Sequence, residues 1–229
     1  MWSLKRLKLY DVDEDEARNV MSWSFIFMLL GARSHEYIKN IKAYINNPSL
    51  FLDLQRGSLH ESGAITGAFI SAFILCMIKR KKISFLKLCE VVSIPAMLSI
   101  AIGRWGCFMN GCCVGLRSNS IFSVHFPQEA ANITRYPVQI YYSIFAFINV
   151  LILIFVEKKI FKIKGKNNYS IIMPLTLFLY AVMRFTVDFF RTVNLFNYSY
   201  QHIVIWLLMP ICLIWLIYSL RKIAIVNNS

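Results

Sequence analysis

Charge is scarce in this sequence, and acidic charge scarcest. Only 16% of its 229 residues are charged, with 12 Asp and Glu against 25 Lys and Arg. Soluble domains carry about a quarter charged residues. A chain that is 57% apolar is therefore too apolar for that class and points to a polytopic membrane protein. The six cysteines include no Cys-x-x-C pair and no zinc-type spacing, which removes the common structural metal and redox motifs. No internal repeat or low-complexity tract is present. Nor is there a cleavable signal peptide: residues 1–10 are basic and weakly apolar, and an acidic run follows. The formal charge of +13 does not indicate a nucleic-acid partner, because much of it lies in short clusters between apolar stretches, where membrane topology explains it.

What is present is a series of apolar runs. A membrane helix takes about 20 residues. Six stretches qualify: 21–32 extended back to 17, 59–78, 86–108, 138–156, 170–190 and 202–220. The expectation is an all-α integral membrane protein, one polytopic domain over residues 1–229 with about six transmembrane helices. Residues 33–55 read as a loop with an interfacial helix, 118–135 as a loop, and 157–168 as a basic loop. The acidic run Asp11 to Glu16 suits a helix N-terminus, whose orphan N–H groups favour anions. Gly63, Gly67, Ala64, Ala68 and Ser71 give the second span a small-residue face for close packing. Pro95 predicts a kink in the third. Residues 79–82 carry four Lys/Arg, 158–166 carry five and 221–222 carry two. The positive-inside rule puts all three clusters, and both termini, in the cytoplasm of a bacterial plasma membrane. The loops 33–57, 109–136 and 191–201 then face outside.

That topology sets His60, Arg104, Arg184, Asp188 and Arg191 at one depth in the outer leaflet. Charges there are costly and mark candidate functional sites. Positions 184, 188 and 191 are i, i+4 and i+7, one face of a helix. Two readings stand. In one, Asp188 is a structural lock on Arg184 while Arg191 snorkels. Alternatively three arginines against one aspartate form an anion site at headgroup depth, with forked donors suited to phosphate. His60 is either a hydrogen-bonded edge residue or a general base. Cys107, Cys112 and Cys113 read as packing residues, as a disulfide such as Cys107–Cys112, or as reactive or metal-binding thiols. Cys76, Cys89 and Cys212 read as small apolar core residues.

Several motifs carry a resemblance: Gly31-Ala-Arg33, Asn47-Pro-Ser-Leu-Phe51, Arg56-Gly-Ser-Leu-His60, Gly103-Arg-Trp-Gly106 with Asn110-Gly111, Arg135-Tyr-Pro-Val-Gln139, and Arg184 through Arg191, with Gln201 beyond. In this order they resemble the bacterial prolipoprotein diacylglyceryl transferases. The resemblance implies a transferase that moves the diacylglyceryl group of phosphatidylglycerol, or of another anionic phospholipid, onto the lipobox cysteine thiol of a secreted lipoprotein precursor. It implies His60, Arg104 and Arg184 as catalytic residues, Asn110, Arg135, Gln139, Asp188 and Arg191 as substrate-binding residues, and no metal or cofactor. It also implies that the family's first transmembrane helix has no counterpart here. Cys107 and Cys112 stand where the family keeps Asn and Glu, Tyr136 where it keeps His, and Asp188 where it keeps Glu. A different acceptor, or a non-catalytic protein binding anionic lipid, are the alternative functions.

Overall fold

The computed structural model describes residues 2–39, 41–47, 61–80, 82–130, 132–164, 171–191 and 209–221. Its elements are α1 (Trp2–Leu9), α2 (Glu14–Lys39), α3 (Ile41–Asn46), α4 (Glu61–Ile78), α5 (Phe85–Met109), β1 (Val124–His125), β2 (Thr134–Arg135), α6 (Val138–Lys164) and α7 (Ile172–Asp188), followed by α8 (Met209–Arg221). The chain clusters into two compact units, residues 1–88 and 89–229.

In the first unit, α2 starts where the acidic run predicts. The Glu16 N–H donates to Asp13 Oδ1 at 2.9 Å, and Glu14, Asp15 and Glu16 fill the first turn. The Glu16 carboxylate also accepts from Lys79 Nζ at 2.5 Å and Lys82 Nζ at 2.9 Å, tying the start of α2 to the end of α4. Farther along, the two backbones nearly touch. A Cβ on Gly31 would lie 2.3 Å from the Gly63 carbonyl oxygen, and one on Gly67 would lie 2.3 Å from that of Phe27. The small-residue face of α4 is thus the packing face, as small residues four apart allow, and Gly31 is its partner.

In the second unit, α5, α6 and α7 share one core. Ile94, Met97 and Ala101 meet Tyr142, Ala146, Val150 and Leu153, together with Ile172, Met183 and Val187. The spacings of three and four are those of one helix face. Buried Glu90 of α5 reaches α7, accepting the Ile172 and Met173 N–H groups at 2.9 Å each. The residue before α7, Ile171, makes no side-chain cap, so a carboxylate from another helix satisfies the orphan donors.

The opposite face of α6 is exposed and apolar, with Ile144, Phe147, Ile148, Leu151 and Phe155 in a continuous band. A band of this kind suits a lipid environment. Among the described residues, α5 and residues 138–160 of α6 are long and apolar enough to cross a membrane, and residues 63–78 and 209–221 form shorter apolar helices. The chain is mostly helical, and α2 and α4 to α8 each overlap one of the six expected spans.

Three expectations change, and one helix is added where no element was expected. The basic stretch 157–164 continues α6 rather than forming a loop: lysines are good helix formers and no glycine intervenes before 165. Glu157 is buried there. Residues 2–9 form a helix. The 33–55 region begins as a continuation of α2 to Lys39 and then α3. The 118–135 loop carries a short antiparallel pair, Val124 opposite Arg135 and His125 opposite Thr134. Pro95 lies inside α5 without ending it.

Candidate functional site

The polar residues of the second unit meet at one end of its helices. Tyr142 is buried near the start of α6. Arg104 holds its Cζ 4.5 Å from the centre of that ring, and Arg184 holds its own at 5.6 Å. The Tyr142 hydroxyl donates to Asp188 Oδ1 at 2.8 Å. Arg184 Nε lies 3.3 Å from Asp188 Oδ2, the two residues being one turn apart on α7. Both arginines and the aspartate are buried. One phenol therefore touches two guanidinium groups through its face and a carboxylate through its hydroxyl. Cation–π contacts of this kind strengthen as water is excluded. With two arginines and one aspartate, the formal charge of these three groups is +2 − 1 = +1. In a dry setting that charge is a strong attractor for an anion.

Arg104 and Arg184, 80 residues apart in the chain, thus both lie against the Tyr142 ring. Arg191 follows closely: its N–H donates to the Asp188 carbonyl at 3.1 Å, and its backbone pairs with Gly115. Gly115 is a junction. Its N–H donates to the Tyr136 carbonyl at 3.0 Å, and the next N–H, of Leu116, donates to the Phe190 carbonyl at 2.9 Å. A Cβ on Gly115 would lie 2.5 Å from Phe190 O and 2.7 Å from Tyr136 O. The loop after α5, the start of α6 and the end of α7 are joined here, and only glycine fits.

Gln139 is fully buried. Its Nε2 donates to the Cys112 carbonyl at 2.6 Å, and its Oε1 is buried with no hydrogen-bond partner among the described residues. A buried orphan acceptor is costly, and no described residue donates to this one. Asn110 is exposed at the end of α5, its carbonyl accepting from Gln128 Nε2 at 3.4 Å. Gly103 and Gly106 have nothing within 4 Å of where a Cβ would stand, so no close backbone neighbour accounts for them.

Arg135 is committed to the loop between α5 and α6, where its backbone pairs with Arg117. Its Nε donates to Glu129 Oε1 at 2.8 Å and its Nη1 to the Gly115 carbonyl at 3.2 Å. These bonds pin the β1–β2 loop, a structural duty that the substrate-binding assignment did not anticipate. His60, Arg56, Asn47-to-Phe51 in part, and Gln201 lie outside the described residues. Tyr142 and Glu90 are the residues sequence reasoning missed. A carboxylate in an apolar span is a signal in itself, and Tyr142 lies three residues from Gln139 on one helix face.

The six cysteines are free thiols. Cys107, Cys112 and Cys113 hold their sulfurs within 4.8 Å of one another. Partial desolvation, together with the neighbouring Cys113 and Cys107 thiols, pushes the Cys112 thiol up to about 11. It remains protonated near neutral pH, which disfavours it as a ready nucleophile.

The model of the prolipoprotein diacylglyceryl transferase family matches residues 1–220. The phosphatidylglycerol–prolipoprotein diacylglyceryl transferase of Clostridium tetani (strain Massachusetts / E88) is 34% identical over 190 residues, covering 82% of this chain and 73% of that protein. The same-named protein of Clostridium novyi (strain NT) is 32% identical, covering 83% and 74%. That of Finegoldia magna (strain ATCC 29328 / DSM 20472 / WAL 2508) is 27% identical, covering 85% and 74%.

Proposed function

Because this chain belongs to the prolipoprotein diacylglyceryl transferase family, we propose that it is a membrane transferase moving the diacylglyceryl group of phosphatidylglycerol onto the lipobox cysteine thiol of a secreted precursor. The products are a thioether and glycerol phosphate. The observation that carries the site assignment is the convergence of Arg104 and Arg184 on Tyr142 and Asp188.

The roles follow from charge. The reaction breaks the bond between the diacylglyceryl carbon and a phosphate oxygen, and the leaving phosphate gains charge as it departs. Arg104 and Arg184 lie where that charge is met by fixed donors that need no reorganisation. Asp188 and Tyr142 hold the guanidinium groups in place. Arg191, one turn beyond Asp188, supplies further positive charge at the rim. Gln139 presents Oε1 to a donor such as a glycerol hydroxyl. Asn110, on the neighbouring turn, lines the entrance. His60 takes the proton of the acceptor thiol, so that a thiolate attacks. Arg135 shapes the site through the loop it pins.

The basic clusters at 79–82, 158–166 and 221–222 support, by the positive-inside rule, a reading with both termini in the cytoplasm, six crossings of the bacterial plasma membrane and the site in the outer leaflet. The phospholipid donor and the secreted precursor both reach the site from that side. The test is incubation of the protein in phosphatidylglycerol-containing micelles with a lipobox peptide, read by mass spectrometry. The expected product is the peptide carrying one diacylglyceryl group, absent with His60→Gln. An unmodified peptide in the presence of folded protein would refute the reading.

A further inference from the structure

We propose that Cys107, Cys112 and Cys113 form a three-thiolate site for a single soft metal ion, of which monovalent copper is the best-matched kind. Their sulfurs lie within 4.8 Å of one another and none is in a disulfide. Metal–sulfur bonds of about 2.3 Å in a trigonal plane set sulfurs about 4 Å apart, so the cluster needs only a slight contraction to close on an ion. The donor set decides the class of ion. Among the described residues the group holds three thiols and no carboxylate or imidazole, a donor set that favours soft metals over magnesium, calcium or manganese. Three thiolates from the described residues suit trigonal copper, whereas zinc takes a fourth donor to complete its shell.

The turn that gathers the thiols is built rather than incidental. Cys107 lies in the last turns of α5, and the Cys112 N–H donates to its carbonyl at 3.1 Å. Gly111 takes φ +62°, and Cys113 takes φ +60°. The left-handed conformation is costly for a residue with a Cβ, and such strain gathers at ligand clamps. The far side of the turn is fixed by Gln139 on the Cys112 carbonyl and by Gly115 on Tyr136. As the ion binds, each sulfur gives its proton to solvent and coordinates as thiolate, with no change of oxidation state.

The experiment uses the full chain, purified without oxygen in detergent micelles and titrated with Cu(I) against a chromophoric copper chelator, with a parallel titration by zinc. Bound metal is counted by plasma mass spectrometry, and free thiols by alkylation and peptide mapping. The expected result is one copper per chain, retained against the chelator, with Cys107, Cys112 and Cys113 protected from alkylation. Cys107→Ser and Cys113→Ser each weaken retention at least tenfold, Cys212→Ala leaves it unchanged, and circular dichroism reports that the variants are folded. Copper lost to the chelator, equal retention by a triple serine variant, or a Cys107–Cys112 disulfide that forms in cells and persists in place of metal would overturn the proposal. None of these readouts depends on transferase activity.

Discussion

Arg104 lays its guanidinium over the ring of Tyr142, 4.5 Å from the centroid, and the same phenol donates to Asp188 at 2.8 Å. Two helices that carry arginines are thereby registered against a third that carries none at this point. The arrangement makes Tyr142 the hinge of the anion site: it is a hydrogen-bond donor on one edge and a cation platform on its face.

Tyr142→Phe keeps the platform and removes the hydroxyl's hydrogen bond to Asp188 Oδ1 in a buried setting. Hydrogen bonds to charged groups contribute about 1.5–3 kcal/mol, so the melting midpoint falls and transfer drops roughly tenfold or more. Tyr142→Leu removes the platform as well and falls further. Thermal denaturation in micelles, with transfer measured beside it, separates the two variants.

Arg135 and Glu129 act as one pair, at 2.8 Å and largely shielded from solvent. Removing either breaks the same loop contact, and Arg135→Ala also loses the bond to the Gly115 carbonyl, so Arg135→Ala loses more stability than Glu129→Ala and the double variant loses little more than Arg135→Ala. The coupling in a double-mutant cycle is expected at about 1 kcal/mol. If Arg135 instead served only the phosphate, Glu129→Ala would leave both stability and transfer untouched.

Gly115→Ala drives a Cβ to 2.5 Å from the Phe190 carbonyl and 2.7 Å from that of Tyr136. Backbone cannot yield as a flexible side chain does, and overpacking costs about 1–3 kcal/mol. Because Gly115 joins the segments bearing Gln139 and Arg191, transfer falls by more than the stability loss explains. Gly31→Ala meets an equally close carbonyl, that of Gly63, yet lies in the other compact unit. Its expected loss is in stability alone, read by the same melts.

Lys79 and Lys82 hold the Glu16 carboxyl below its ordinary value of 4.5. The stability this adds is present above the ordinary carboxylate value and is lost as pH falls through the depressed one. Glu16 in turn holds the Lys82 ammonium above its ordinary 10.5. That contribution is present below 10.5 and is lost as pH rises through the raised value. Glu16→Gln flattens both limbs of the stability profile. The pair is solvent-exposed, so added salt shrinks the difference between wild type and variant.

The apolar runs announced helices because core positions and exposed apolar positions alike are apolar, and each of the six runs overlaps a helix among the described residues, of which α5 and α6 are long and apolar enough to cross a membrane. Their ends were harder. The lysines after residue 157 read as a loop from charge alone, yet a lysine side chain is compatible with helix, and α6 continues through Lys164. Gly63 and Gly67 announced a close helix contact, but the partner Gly31 lies in a different helix, and local periodicity carries no information about partners. The same limit applies at the site. Arg104, Arg184 and Asp188 stood out because charge in an apolar run is expensive. Tyr142 did not, since an aromatic in such a run is ordinary. Arg135 showed the reverse: its charge was visible, but its commitment to Glu129 depends on a loop that no spacing rule specifies.

The central claim is that Arg104 and Arg184 together hold the phosphate of the lipid donor. The most direct measurement is transfer from glycerol-labelled phosphatidylglycerol to a lipobox peptide by wild type, Arg104→Lys, Arg104→Ala and Arg184→Ala, each verified as folded. The account predicts partial loss with lysine, which keeps the charge but not the forked donors, and loss of at least a hundredfold with either alanine. Full transfer by Arg104→Ala would contradict it.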